Sequence, residues 1–448
     1  MSLKQKQHAN WSSRLGFILA ATGSAVGLGN IWKFPYMVGE SGGAAFVLVY
    51  LLSIALIGLP ILVTEWMIGR RGQNNPANAM ADLATSAGRS KAWMLVGISG
   101  ILGAFMILSF YSVIGGWSLY YTLNSVTGAF SGQGADGIGA LFNDMLGNPG
   151  LLLAGHSVFM LLVIGIVARG VTKGLESAAR LLMPALGVLL VVLVGYGMTT
   201  GHFGEAVSYL FNPDWSKLSG ETVLAALGHA FFTLSLGMGI MMAYGSYLGE
   251  EVNLLKTART VVIMDTVIAL GAGLAIFPLV FANNLDLASG PGLIFVTLPL
   301  AFGQMGGGIV LGLMFFLLLT FAAVTSAISL LEPVVEFVEE RTPLSRGASA
   351  VVAGAAAWAL GIAALLSFNL WSGPVLFDLN VFDLLDKLTS KFMLPLTGLG
   401  AIVFTGWFLD KESVRRELGM DVYDFSLWSL ITRFIAPIGV AVVFFTSL

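Results

Sequence analysis

Two apolar stretches of the chain are interrupted by clustered glycines beside amide and hydroxyl side chains, and these are the residues best placed to do chemistry. The first reads Thr22-Gly23-Ser24-Ala25-Val26-Gly27-Leu28-Gly29-Asn30; the second reads Phe231-Phe232-Thr233-Leu234-Ser235-Leu236-Gly237-Met238-Gly239. Glycine weakens a helix by roughly 1 kcal/mol relative to alanine, so both stretches are expected to unwind. Inside hydrocarbon, unwound backbone is tolerated only where its freed polar groups line a cavity or bind something. Freed carbonyls and the Asn30 amide oxygen suit a hard cation. The N–H groups at the start of a half-helix, at the positive end of its dipole, suit a carboxylate. Gly23-x-x-x-Gly27 by itself would also serve close helix packing. The adjoining Asn30 and the second break turn the reading towards binding, because paired breaks in two halves of a chain mark a secondary-transporter site.

Other candidates lie further along. Thr325 and Ser326, one turn beyond Ala322, offer two hydroxyls on one helix face, although such hydroxyls also bond back to their own helix. Asn283 and Asn284 offer two amides that could ligate a cation or cap a helix. Glu65, Glu176, Asp265, Glu332 and Glu336 fall within apolar stretches, as do Lys33, Asp383 and Asp386, and intramembrane charges are functional candidates by default. Gly174 and Pro184 in one apolar stretch read either as a hinge or as a static kink. His8, His156, His202 and His229 show no metal spacing, and no cysteine is present. No nucleophile, phosphate-loop or metalloprotease pattern appears, so an enzyme is not expected.

The elements that position these residues must cross a membrane. Of 448 residues, 56% are hydrophobic and 10% charged, against about 25% charged in soluble proteins. A formal net charge of −3 gives no indication of nucleic acid. The polar start, with Ser2, Lys4, Lys6 and His8, has no signal-peptide core, so the first apolar run is expected to be a retained span. About 20 residues suffice to cross, and eleven stretches qualify: 15–37, 44–68, 92–123, 151–168, 175–199, 222–248, 258–285, 306–337, 350–368, 382–409 and 425–445. Most basic residues, among them Lys4, Arg70, Arg71, Arg89, Arg169, Lys256, Arg346 and Arg415, fall on one side of this layout. Positive charge stays cytoplasmic, so the N-terminus is expected inside and the C-terminus outside. Three longer loops, 124–150, 201–221 and 286–303, fall on the outer side. The expected organisation is a cytoplasmic tail over 1–13, a five-helix repeat over 14–199, an extracellular loop over 200–221, a second five-helix repeat over 222–410, and a cytoplasmic loop with an eleventh helix over 411–448.

Trp11, Arg14-Leu15-Gly16, Ala25-Val26-Gly27-Leu28-Gly29-Asn30, Lys33-Phe34-Pro35, Glu40-Ser41-Gly42-Gly43, Glu65-Trp66, Gly69-Arg70, Phe231 to Gly237 and Thr325-Ser326 together resemble the neurotransmitter:sodium symporter family. They run in family order over nearly the whole chain. The resemblance implies an all-α multi-pass membrane protein of 11 transmembrane helices, an inverted five-plus-five repeat with helices 1 and 6 unwound at mid-membrane, and two sodium sites. The first sodium site would use Ala25, Asn30, Thr233 and Asn283. The second would use Gly23, Val26, Ala322, Thr325 and Ser326. The substrate would touch Ala25, Gly27, Leu28, Gly29, Ile107, Tyr111, Phe232, Thr233, Ser235, Met238, Ser326 and Leu330. Relatives that carry monoamines have an aspartate where this chain has Gly27, so the carboxylate must come with the ligand, which implies an amino acid. A pocket without charge, with adaptable Met238, implies the hydrophobic side chains of Leu, Ile, Val, Met, Phe, Tyr and Trp, as in bacterial members of broad hydrophobic range.

Gates would be Lys33 with Asp386 on the outside, and Trp11 with His8 and Glu340 on the inside, where the family has an arginine and an aspartate in the last two places. Gly174 and Pro184 would bound the hinge. Asp265 is a candidate for the carboxylate that replaces chloride. The expected activity is therefore sodium-coupled uptake of hydrophobic L-amino acids by a plasma-membrane protein, functional as a monomer. A proton-coupled permease of similar architecture is the nearest alternative, and a channel or receptor the next.

Overall fold

The computed structural model describes residues 10–285, 287 and 292–446, and these contain helices and no β-strand. The first break is sharp. Helix α1 (Arg14–Ala25) starts at Ser13, whose hydroxyl accepts the Gly16 amide, and stops where Val26 turns extended at ψ 103°. Helix α2 (Gly29–Glu40) resumes at an angle of 49°. Next come α3 (Ala44–Gly72), α4 (Pro76–Ser86), α5 (Lys91–Thr127), α6 (Ala135–Gly147), α7 (Pro149–Val167), α8 (Val171–Gly197) and α9 (Phe203–Phe211). The second break separates α10 (Gly220–Thr233) from α11 (Ile240–Ser246). Beyond it lie α12 (Leu254–Ala282), α13 (Leu293–Gln304), α14 (Gly308–Arg341), α15 (Arg346–Leu366), α16 (Val381–Phe408), α17 (Lys411–Leu418) and α18 (Val422–Thr446).

Nine of the described helices are unbroken, long and apolar enough to cross a membrane. The bent α1–α2 pair makes a tenth by the same measure, and the α10–α11 pair, interrupted over 234–239, stands where the eleventh expected span falls. The three long loops are not plain loops: α6, α9 and α13 lie within them. Sequence reading passed over these short helices because none is long enough to span.

The second break needs unusual backbone. Ser235, Gly237 and Gly239 all have positive φ, at 53°, 75° and 68°. A side chain on Gly237 would drive into the Leu394 carbonyl of α16, so both the conformation and the close approach require glycine there. The Gly237 amide freed by the turn donates to Glu65 Oε1 of α3 at 2.8 Å. Helix α3 runs alongside both half-helices. Gly58 faces Ala230 and Leu234 at the α10 end, while Gly69 meets the Met242 carbonyl and Gly245 meets the Trp66 carbonyl at the α11 end. The core is continuous, and beside the two breaks α5 and α14 pack on each other more extensively than any other pair of helices.

Candidate functional site

A cavity of about 340 Å³ lies between the breaks, lined by Ser24, Ala25, Gly27, Leu28, Gly29, Ile107, Tyr111, Phe232, Thr233, Ser235, Met238, Ser326 and Leu330. The structure thus gathers every residue expected to touch the substrate, and adds Ser24. It carries no charged side chain in its wall. On the α2 side, the Leu28 amide points at the Tyr111 hydroxyl at 3.3 Å, marking where a helix start presents N–H groups to the cavity.

Beside the cavity is a knot of oxygens. Asn30 Oδ1 accepts the Gly27 amide at 3.1 Å, and its Nδ2 donates to Thr233 Oγ1 at 3.1 Å and to Asp265 Oδ1 at 2.8 Å. The Thr233 hydroxyl lies 3.2 Å from both Asp265 oxygens, and the Tyr50 hydroxyl donates to Oδ2 at 3.4 Å. Asp265 is wholly buried, and its described hydrogen-bond partners are all neutral. Buried charges are paired or coordinate metals, and a carboxylate beside a hydroxyl oxygen offers oxygen donors to a hard cation, while the Asn30 amide presents its nitrogen to them and its oxygen to the Gly27 amide.

Asn283 is not part of this knot, which corrects the expected first sodium site. It caps the end of α12, donating its side-chain amide to the Leu279 carbonyl at 2.8 Å. Asp265 lies in mid-helix, roughly 27 Å away along the axis at 1.5 Å per residue. Spacing alone could not choose between a residue near the start of the span and one at its end.

A second group of oxygens faces the end of α1. Ser326 Oγ lies within 3.5 Å of the Gly23 carbonyl, 3.3 Å of the Ser24 carbonyl and 3.4 Å of the Val26 carbonyl. Thr325 Oγ1 bonds to the Ala322 carbonyl at 3.0 Å. Gly23 sits close enough to Thr325 that an added Cβ would be 3.2 Å from its Cβ. The carbonyls here are the negative end of the α1 dipole, which favours a cation. All five residues expected at the second sodium site therefore meet.

Aromatic side chains stand at both ends of the cavity. Phe232 separates it from a larger cavity of about 760 Å³ that is also lined by Lys33, His229 and Lys391. Lys33 Nζ lies 4.7 Å from the Phe232 ring centre. Among the described residues Lys33 makes no ion pair with Asp386, so the expected outer pair is corrected to a cation–π contact. At the other end, the Trp11 indole donates to the Tyr244 carbonyl at 3.0 Å and its ring packs on Phe17, Tyr244 and Tyr247. Tyr247 donates to Glu332 at 2.7 Å, Tyr244 meets Ser329 at 2.7 Å, and Ser246 donates to Glu336 at 2.9 Å, stitching α11 to α14.

His8 lies outside the described residues. Its expected partner Glu340 accepts hydrogen bonds from the backbone and side-chain amides of Asn75 and from Asn78. Gly174 falls in a wide π-helical turn at Val171–Glu176, and Pro184 lies inside α8, so the segment between them is wound in this structure. Glu176 in that turn accepts the Ser12 amide at 2.8 Å, which ties α8 to the start of α1.

The comparisons with known proteins agree with this geometry. Residues 8–135 and 139–448 match the sodium:neurotransmitter symporter family. The chain is 38% identical to an uncharacterized sodium-dependent transporter, YhdH, of Bacillus subtilis, across 99% of this chain and 98% of the relative. It is 34% identical to an uncharacterized sodium-dependent transporter of Haemophilus influenzae, across 100% of both chains. Among solved structures it is similar to MhsT in complex with L-phenylalanine, with 45% identity and a TM-score of 0.91 over 98% of this chain and 100% of that one. Paired helix breaks around a cavity, and full-length likeness to sodium-dependent transporters, lead to one conclusion: the chain belongs to the sodium:neurotransmitter symporter family, a multi-pass membrane protein that couples transport to sodium and is not an enzyme.

Proposed function

We propose that the protein carries hydrophobic L-amino acids into the cell together with sodium ions held at two sites. The observation that carries the reading is the cavity wall: glycine at 27, N–H groups at the start of α2, and no charged side chain among the lining residues. A ligand there must bring its own carboxylate and an apolar side chain. The first sodium would sit among Ala25, Asn30, Thr233 and Asp265, completed by the substrate carboxylate. The second would sit among Gly23, Val26, Ala322, Thr325 and Ser326. The carboxylate would meet the Leu28 and Gly29 amides and Tyr111, and the side chain would rest on Ile107, Phe232, Met238 and Leu330. The phenylalanine complex of a structural relative supports the class of ligand.

The cycle follows from the two closures. Sodium stabilises the state open at the Lys33 end, substrate bridges the broken helices, and Tyr111 and Phe232 cover it. Loss of the second sodium then loosens the Trp11 end, with unwinding between Gly174 and Pro184. In this reading the basic loops are cytoplasmic, the two five-helix repeats span 14–199 and 222–410, and a single chain suffices. The test is uptake of labelled leucine and tryptophan into proteoliposomes under sodium or potassium gradients, with unlabelled competitors. Competition by phenylalanine and isoleucine, and none by lysine or glutamate, is expected. Uptake that ignores sodium and follows a pH gradient, or competition by charged amino acids, overturns the reading.

A further inference from the structure

Helix α18 is the least buried of the nine unbroken spans among the described residues, so most of its surface faces lipid. It nonetheless carries Arg433, the only basic residue between Val422 and Thr446. A cation within a span is costly unless something compensates it. Among the described residues Arg433 makes no ion pair, and the carboxylates nearest in the chain are engaged elsewhere. Glu412 pairs with Arg415 and Arg416, and Glu417 with Arg70 and Arg71. Asp410 and Asp421 cap helix starts, accepting the Ser413 and Asp424 amides. Asp424 itself lies roughly 14 Å away along α18 at 1.5 Å per residue. Asp386 of α16 stands about 30 Å along its axis from Gly406, the residue that Arg433 touches.

The side chain rests in a built seat. Arg433 Nε donates to the Gly406 carbonyl at 2.6 Å, in the last turn of α16, where carbonyls have no partner in their own helix. The guanidinium lies 5.1 Å from the Trp407 ring centre, and the Trp407 indole donates to the Arg433 carbonyl at 3.2 Å. Glycine at 406 belongs to the seat, because an added Cβ would stand 3.2 Å from Arg433 Cγ and 3.3 Å from the Thr432 carbonyl. Phe434 packs edge-on against Trp407. Trp407 is 47% exposed and Phe434 46%, so the seat opens towards lipid and not into the protein. A guanidinium has five N–H donors, and among the described residues only Nε finds an acceptor. The fork of Nη1 and Nη2 is left over.

The depth of the seat suits a headgroup. Helix α16 ends at Phe408, and the polar α17 segment follows at once from Lys411. Arg89, an exposed residue of the loop between α4 and α5, lies 5.1 Å from the ring centre of Phe408, the neighbour of Trp407. Tryptophan gathers at this level of a membrane, and basic pockets between spans there hold lipid headgroups. We propose that Arg433 and Trp407 form a binding site for an anionic phospholipid of the leaflet on the basic-loop side. The free fork takes two phosphate oxygens, the bidentate geometry that arginine offers. The acyl chains lie along the exposed stripe of Phe434, Ile438 and Val442, one turn apart on α18. The rival is an internal cap, in which Arg433 closes the end of α16 and no lipid is held.

The test titrates the full-length protein in detergent micelles with phosphatidylglycerol, phosphatidylcholine or glycerophosphoglycerol, the headgroup without chains, and counts bound molecules by native mass spectrometry. Wild type is expected to hold phosphatidylglycerol about ten-fold more tightly than Arg433→Gln, the scale of hydrogen bonds to a charged group. Arg433→Lys keeps the charge and loses the fork, and should fall between. Arg89→Gln removes an equal charge at the same level and should bind as wild type does. The unfolding midpoint without lipid checks that each variant folds; if Arg433→Gln does not, Arg433→Lys decides, and binding equal to wild type counts against the site. Equal binding by wild type and Arg433→Gln indicates the internal cap. Equal loss in Arg89→Gln indicates diffuse surface charge. Equal binding of phosphatidylcholine indicates no selection for an anion, and equal binding of glycerophosphoglycerol indicates a site for free phosphate esters. Any of these results overturns the assignment.

Discussion

Position 27 gives the sharpest test of how tightly the site is built. A single methyl group added there by Gly27→Ala would land on Ser326 Oγ, 3.1 Å from the Tyr111 hydroxyl and 3.2 Å from Ser326 Cβ. The backbone at Ser326 is buried in α14 and cannot retreat cheaply. If its side chain rotates away, it leaves the carbonyls of Gly23, Ser24 and Val26. If Tyr111 gives way as well, it leaves the Leu28 amide. Overpacking of a fitted site costs about 1–3 kcal/mol, and about 1.4 kcal/mol is a factor of ten. The alanine variant should therefore need roughly five- to 150-fold more ligand for half-saturation. Half-saturating leucine and half-saturating sodium for uptake into proteoliposomes should be measured separately, with the unfolding midpoint of the unliganded protein as a check on folding. A shift in sodium alone means that Ser326 yielded; a shift in leucine alone means that Tyr111 did. Wild-type values for both in a well-folded Gly27→Ala protein would refute the argument that this glycine is required by contact.

Three further tests follow from the same geometry. Met238→Phe should disfavour tryptophan more than leucine, because the ring fills the adaptable part of the pocket; equal effects on both substrates would remove Met238 from the side-chain wall. Asp265→Asn should raise half-saturating sodium at least about ten-fold, the low end for disturbing a metal's surroundings, while Asn283→Ala should leave it unchanged; the reverse result would restore Asn283 to the site. The chain has no cysteine, so a single cysteine at Ser329 reports on the Trp11 closure: Trp11→Ala should speed its labelling by an impermeant maleimide several-fold from the basic-loop side, and unchanged labelling would show that Trp11 does not seal that end.

The spans were legible because hydrocarbon imposes its own grammar on a sequence: long apolar runs, few charges, and basic residues segregated to alternate loops. The breaks were legible for the same reason, since glycine clusters stand out where every other residue favours a helix. What sequence could not settle were questions of register and rotamer. Asn283 and Asp265 share a helix, and only the wound length of α12 decides which reaches Asn30. Lys33 is one turn from the break, but nothing in its identity says that its ammonium rests on Phe232 and not on Asp386. The α6, α9 and α13 helices were hidden because a short helix at a membrane surface needs no distinctive composition.

The closeness of α3 to both halves of the second broken span has a mechanical consequence. A missing stretch of helix is usually taken as a joint, free to flex. Here Gly58 lets α3 lie against the α10 end, and Gly69 and Gly245 bring the α3 and α11 backbones together, so one continuous helix is bound to both pieces. The polar gap at 234–239 can offer carbonyls and amides to a ligand while both flanking half-helices stay docked on a common neighbour.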